Sequence, residues 1–214
     1  MAEVVREIPG AVGPCEVLIE KPEGEPRAAV VFAHPLPTGG GTMHTKVVFQ
    51  GAKALARLGC VVLRFNFRGV GRSAGSWDEG RGELDDYRAA VNYMAAHYPG
   101  MELWAAGFSF GAYVAWTVGA SDDRICSLIA VAPPVTKWAF DRPVFESTKP
   151  KFIVHGESDE LIALKSVREF YARLQEPKEM IEIDRANHLF DGQTSEVGDA
   201  LEGLLAGFSC TTTP

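Results

Sequence analysis

Short, continuous apolar runs alternate with amphipathic stretches along almost the whole chain, and this alternation limits the possible folds more than any other feature. Strand candidates lie at residues 16–20, 28–33, 60–65, 103–106, 125–132, 151–155 and 180–183, several of them unbroken runs rich in Val and Ile. A strand that is apolar at nearly every position needs cover on both faces. The stretches between supply that cover. Val48, Leu55 and Leu58 line one face of a segment that begins near Thr45, and Leu84, Tyr87, Val91, Met94 and Tyr98 recur at steps of three and four. Val167, Phe170, Tyr171 and Leu174 do the same, as do Val197, Leu201, Leu204, Leu205 and Phe208. These are helical stripes that face a sheet. Strand and helix in alternation predict an α/β fold, a mostly parallel central sheet with helices on both faces. The first segments have no helix between them and are expected to form an antiparallel edge.

The chain has 214 residues, which suits one domain over residues 1–208, with residues 209–214 read as a frayed tail. A formal net charge of -7 leaves no basic footprint for nucleic acid or an anionic membrane. The N-terminal MAEVVREIPG lacks the apolar stretch of a signal peptide, and the longest apolar runs are far too short to span a bilayer. Cys15, Cys60, Cys126 and Cys210 form no CxxC pair, and the expectation is reduced core thiols in a cytoplasmic protein. No spaced His/Cys/carboxylate set appears, so neither metal nor cofactor is expected, and the sequence leaves the oligomeric state open.

Chemistry enters at Gly107-Phe108-Ser109-Phe110-Gly111. The run at 103–106 precedes it and a helical stretch at 112–118 follows, so G-x-S-x-G falls between a strand and a helix, the context in which it makes Ser109 a nucleophile. The flanking glycines leave room for a strained turn. That turn lifts the hydroxyl to a helix N-terminus, where developing negative charge is favoured. A serine needs a base, and the base needs a third group to hold its tautomer. Two histidines follow Ser109, His155 and His188. His155 closes a strand before Gly156 and is assigned to shaping that turn. His188 lies in a loop between the last strand and the last helix, where a catalytic base belongs. Glu157, Asp159 and Glu160 compete for the role of acid. The oxyanion requires two N–H donors. One is Phe110, next to the nucleophile; the other is assigned to Leu36 in His34-Pro35-Leu36-Pro37-Thr38-Gly39-Gly40-Gly41, where the prolines on either side have no N–H to give.

Four segments, AHPLPTGGGTMHTKVV, FNFRGVGRSAGSWDEGRGELDD, GFSFGAYVA and HGESDELI, carry a family resemblance. Together with the His188 loop they resemble the α/β-hydrolase superfamily, and within it the small lidless bacterial serine hydrolases related to dienelactone hydrolases. HGESDELI resembles the acid-bearing segment H-G-x-x-D-x-[VIL]-[VI], which selects Asp159 and leaves Glu157 and Glu160 as solvated carboxylates. Dienelactone hydrolases use a cysteine nucleophile; position 109 is serine, so dienelactones are not the implied substrate. The resemblance implies an α/β-hydrolase fold without a cap domain, since the stretch between Pro134 and Phe152 is too short for one. Trp138, Phe140 and Phe145 in that stretch either wall a shallow acyl pocket or pack on the helix below.

The expected activity is therefore carboxylic ester hydrolysis through an acyl-enzyme, on small soluble acyl substrates. A thioesterase or peptidase would use the same residues, and a non-catalytic binding protein of the same fold is the remaining alternative. Gly69-Val70-Gly71-Arg72-Ser73-Ala74 matches a dinucleotide fingerprint, but Gly75, Gly80 and Gly82 postpone the helix that such a site requires. Residues 41–46 lack the second glycine of a phosphate-binding loop.

Overall fold

The computed structural model describes residues 6–210. Eight strands form one sheet: β1 (Glu7–Gly10), β2 (Gly13–Glu20), β3 (Ala28–Ala33), β4 (Cys60–Phe65), β5 (Glu102–Phe108), β6 (Ile125–Val131), β7 (Lys151–Gly156) and β8 (Lys178–Ile183). Their order is β1-β2-β4-β3-β5-β6-β7-β8, with β1–β2 and β2–β4 antiparallel and every other pair parallel. The antiparallel edge is as expected. β1 itself escapes sequence reading because only Ile8 of its four residues is buried and the strand ends in Pro9 and Gly10.

Six helices cover the sheet: α1 (Lys46–Arg57), α2 (Gly82–His97), α3 (Phe110–Ser121), α4 (Arg142–Glu146), α5 (Leu164–Arg173) and α6 (Thr194–Leu205). β3 shows how two cores arise from one strand. Ala28, Val30 and Phe32 face α1 and α6, where they meet Val48, Leu55 and Leu201. Ala29, Val31 and Ala33 face the other way, into a core with Tyr87, Val91 and Trp116 from α2 and α3 and Phe170 from α5. The period-two alternation of strand side chains thus divides a wholly apolar strand between two layers.

The chain runs from β3 outward to β4, then returns past β3 to β5. The loops after β3 and β5 consequently diverge at a switch point on the carboxyl edge of the sheet, where ligands bind in folds of this kind. Non-glycine residues with positive φ mark the same edge: Glu79, Ser109, Ala132, Arg185 and Phe190 all sit in loops that follow a strand's carboxyl end. Strained backbone of this sort costs about 1–3 kcal/mol per residue and persists where surrounding structure holds it.

Two expectations need correction. Cys15 and Cys60 are free and buried, but Cys126 and Cys210 form a disulfide, with Cα atoms 6.0 Å apart. The cause lies in the segment after α6, which folds back under the amino edge of the sheet. Phe208 packs against Trp104 (tilted) and Phe152 (edge-on) at 5.2 and 4.9 Å between ring centroids, and Arg27 donates to the Phe208 carbonyl at 2.6 Å. This brings Cys210 to Cys126 at the start of β6. The expected tail is therefore fastened at Ser209 and Cys210, and its remaining four residues lie outside the described region.

Candidate functional site

The elbow after β5 gives Ser109 its position. Its backbone has φ 52° and ψ -121°, a conformation that L-residues rarely adopt. It is held there by Ser109 N–H donating to the Val131 carbonyl at 2.8 Å and by Ala112 N–H donating to the Ser109 carbonyl at 2.8 Å. Crowding explains the flanking glycines. A Cβ on Gly107 would lie 2.1 Å from the Gly111 carbonyl oxygen, and one on Gly111 would lie 2.4 Å from the Ala33 carbonyl oxygen. Ser109 stands just before the first turn of α3, and Phe110 occupies that turn's first position.

The structure brings together the three residues expected as nucleophile, base and acid. His188 Nε2 lies 2.9 Å from Ser109 Oγ, and His188 Nδ1 lies 2.7 Å from Asp159 Oδ2. A carboxylate only accepts, so Nδ1 carries the proton and Nε2 is free to accept from the serine hydroxyl. Asp159 and His188 are 6% and 5% exposed. Burial alone pushes the Asp159 carboxyl up. The His188 hydrogen bond and the N–H of Ile162 outweigh it, and the acid ends below the usual carboxylate range. Its other oxygen, Oδ1, accepts from the N–H groups of Leu161 and Ile162 at 2.9 and 2.8 Å.

Glu157 and Glu160 are exposed, as a solvated carboxylate should be, yet each holds the loop that carries His188. Glu160 accepts from the His188 N–H and Glu157 from the Arg185 N–H, both at 3.1 Å. These contacts join segments 28 residues apart and leave no local signal in the sequence. His155 is fully buried and its Nε2–H donates to the Ile162 carbonyl at 2.9 Å, which closes the acid-bearing turn as expected; burial pushes its basicity down.

Leu36 and Phe110, the expected oxyanion donors, flank the elbow from the β3 loop and from α3. Among the described residues neither amide donates to another protein atom. The Leu36 loop is closed by Gly39 and Gly41 N–H groups donating to the Leu36 carbonyl, each at 3.1 Å. His34, which sequence reading left without a role, pins this loop. Its Nε2 accepts from the Phe67 N–H at 3.1 Å, so Nδ1 carries the proton and donates to the Pro35 carbonyl at 2.7 Å. Burial drives the His34 basicity down to about 4. The neighbouring loop after β4 is fixed by Arg68, whose N, Nε and Nη2 all donate to the Asp86 carboxylate at 2.9–3.0 Å.

The three aromatics of the stretch after β6 are half-buried and make packing contacts with α3 and α5. Phe140 and Phe145 pack against Phe170 of α5, tilted and edge-on, with ring centroids 4.9 and 5.4 Å away. Trp138 lies 4.8 Å from Phe110 and 5.0 Å from Tyr113 on α3. Trp77, unassigned in the sequence, joins it against Phe110 at 5.3 Å. For metals, the described residues offer Glu102, Cys126 and Cys210 within 4.8 Å of one another, but the two sulfurs are bonded to each other and one carboxylate remains. Among the described residues no helix is long and apolar enough to cross a membrane.

Comparison with known proteins places this fold among the α/β serine hydrolases. The family described as serine aminopeptidase, S33, matches residues 24–147. An uncharacterized protein of Rickettsia prowazekii, RP471, is 34% identical over 189 residues, 84% of this chain and 79% of that protein. Among solved structures, an alpha-beta serine hydrolase homologue from Coxiella burnetii is 39% identical with a TM-score of 0.89, covering 96% of this chain and 98% of the other. XC6422 from Xanthomonas campestris, described as an a/b serine hydrolase without lid, is 35% identical with a TM-score of 0.90, covering 100% and 98%.

Proposed function

The chain belongs to the S33 serine aminopeptidase family of the α/β-hydrolase superfamily, and on that premise we propose that it hydrolyses carboxylic esters of small acyl substrates through an acyl-enzyme on Ser109. One observation carries the reading: a serine in a strained elbow, 2.9 Å from an imidazole whose other nitrogen is 2.7 Å from a buried carboxylate. His188 Nε2 takes the Ser109 proton as Oγ adds to the substrate carbonyl. The carbonyl oxygen becomes an oxyanion that accepts from the free N–H groups of Leu36 and Phe110. His188, now an imidazolium opposite Asp159, gives the proton to the leaving oxygen, and the C–O bond breaks. Water then repeats the sequence on the acyl-serine and releases the acid.

Amide hydrolysis is the second reading, favoured by the family's description as aminopeptidases; the same residues would then protonate an amine. Labelling with a fluorophosphonate, alongside assays on p-nitrophenyl esters, acyl-CoA thioesters and aminoacyl arylamides, separates the classes. The expected result is a single label on Ser109, ester turnover well above arylamide turnover, and loss of both label and turnover in Ser109→Ala. An alanine variant that retains full ester hydrolysis overturns the proposal.

A further inference from the structure

We infer that Leu161 and Leu189 seat an apolar leaving group, so that the preferred substrates are esters of hydrophobic alcohols. The inference rests on the reading of Ser109 and His188 just given and names the substrate class for it. Among the described residues, the large apolar side chains left exposed are Val12, Phe49, Leu161 and Leu189. Two of these have covering neighbours. Val12 leans on the turn at Gly75, and the Phe49 ring lies under the cationic groups of Arg64 and Lys53 at 5.5 and 5.7 Å. Leu161 and Leu189 are 54% and 50% exposed; one follows the acid by two residues and the other follows the base directly. Single exposed apolar residues are ordinary on a protein surface. These two stand on loops joined to each other, since Glu160 accepts from the His188 N–H.

The chemistry says which part of a substrate meets them. The proton that leaves His188 Nε2 goes to the leaving oxygen, so the leaving group must lie beside the imidazole. The oxyanion donors lie elsewhere, one on the β3 loop and one at the start of α3. In the sheet β3 is on one side of β5, and β7 and β8 are on the other. The acyl oxygen and the leaving group therefore part in opposite directions along the carboxyl edge, and the leaving group travels toward the loops of Leu161 and Leu189. An alkyl or aryl group there would remove both leucines from water.

Acetate esters of ethanol, butanol and hexanol test this. Their leaving groups are close in acidity and differ in apolar surface. With kcat/KM followed by pH-stat, the wild type is expected to favour hexyl over ethyl acetate by about tenfold or more. In the double variant Leu161→Ser/Leu189→Ser that ratio should fall to within about twofold, while the preference among p-nitrophenyl acetate, butyrate and hexanoate, which differ only in the acyl part, keeps its wild-type pattern. A flat or absent alkyl-ester series in a wild type whose Ser109 labels with fluorophosphonate overturns the inference alone, as does a double variant as steep as the wild type. No labelling and no turnover of any ester overturns the underlying reading and the inference with it.

Discussion

Asp159 divides its two oxygens between distinct tasks. Oδ1 is anchored by the N–H groups of Leu161 and Ile162, which leaves Oδ2 aimed at His188. Replacing the carboxylate by an amide keeps its volume, but it removes the charge that stabilises the imidazolium and invites the wrong tautomer. Asp159→Asn is expected to lower kcat by roughly 10²–10⁴ with correct folding by circular dichroism. For Glu160 the backbone contact makes a different forecast: Glu160→Gln retains an acceptor for the His188 N–H and should stay within about threefold of wild type, whereas Glu160→Ala should fall by about tenfold as the loop loosens. Equal rates for the two variants would show that the contact does not position His188. Ser109 was legible because its whole signature lies within five consecutive residues and their flanks, and His188 because few histidines follow it. The acid needed a family pattern, since three carboxylates stand within four residues of one another. The service of Glu157 and Glu160 to the His188 loop could not be read, because it exists only when two distant loops meet.

The loops of this edge are held by groups that titrate. His34 joins the β3 loop to the start of the β4 loop as a neutral imidazole, its basicity pushed down to about 4 from an ordinary 6.5. Above pH 6.5 the folded and unfolded chains both leave this group neutral, and its contribution is fully present. As pH falls from 6.5 toward 4 the unfolded chain takes up a proton that the fold refuses, so stability is lost through that window. The loss from this group is expected to reach about 2–3 kcal/mol by pH 4.5. Urea unfolding at pH 7.5 and 4.5 should show a smaller acid loss in His34→Gln than in wild type; identical losses would remove His34 from the account. Strands and long helices were legible because burial imposes a period on them. β1 and α4 were not: the first buries one residue through its own side chains, and the second is a five-residue turn with Val144 alone buried.

The whole molecule is fastened at one edge and carries its candidate site at the other. The Cys126–Cys210 disulfide ties the segment after α6 to the amino edge of the sheet and closes a span of 84 residues, whereas Ser109, Asp159 and His188 occupy the carboxyl edge. A cross-link of that span contributes about 2–4 kcal/mol, so reduction, or Cys126→Ser, is expected to lower Tm by about 4–12 °C while ester hydrolysis at 25 °C changes less than twofold. Calorimetry with and without dithiothreitol measures it, and an unmoved Tm would mean that the tie carries no stability. This pairing was hidden in the sequence because it depends on where Phe208 lodges. The position of His188 in the last loop before the final helix has a further consequence, one of biosynthesis. Ser109 leaves the ribosome 79 residues before His188 does; β8 is made in between, and the final described helix, α6, follows later still. At ordinary elongation rates the elbow serine waits about 4–16 s for a proton acceptor. On the proposed reading, a nascent chain cannot cleave esters until the His188 loop has emerged and docked on the elbow.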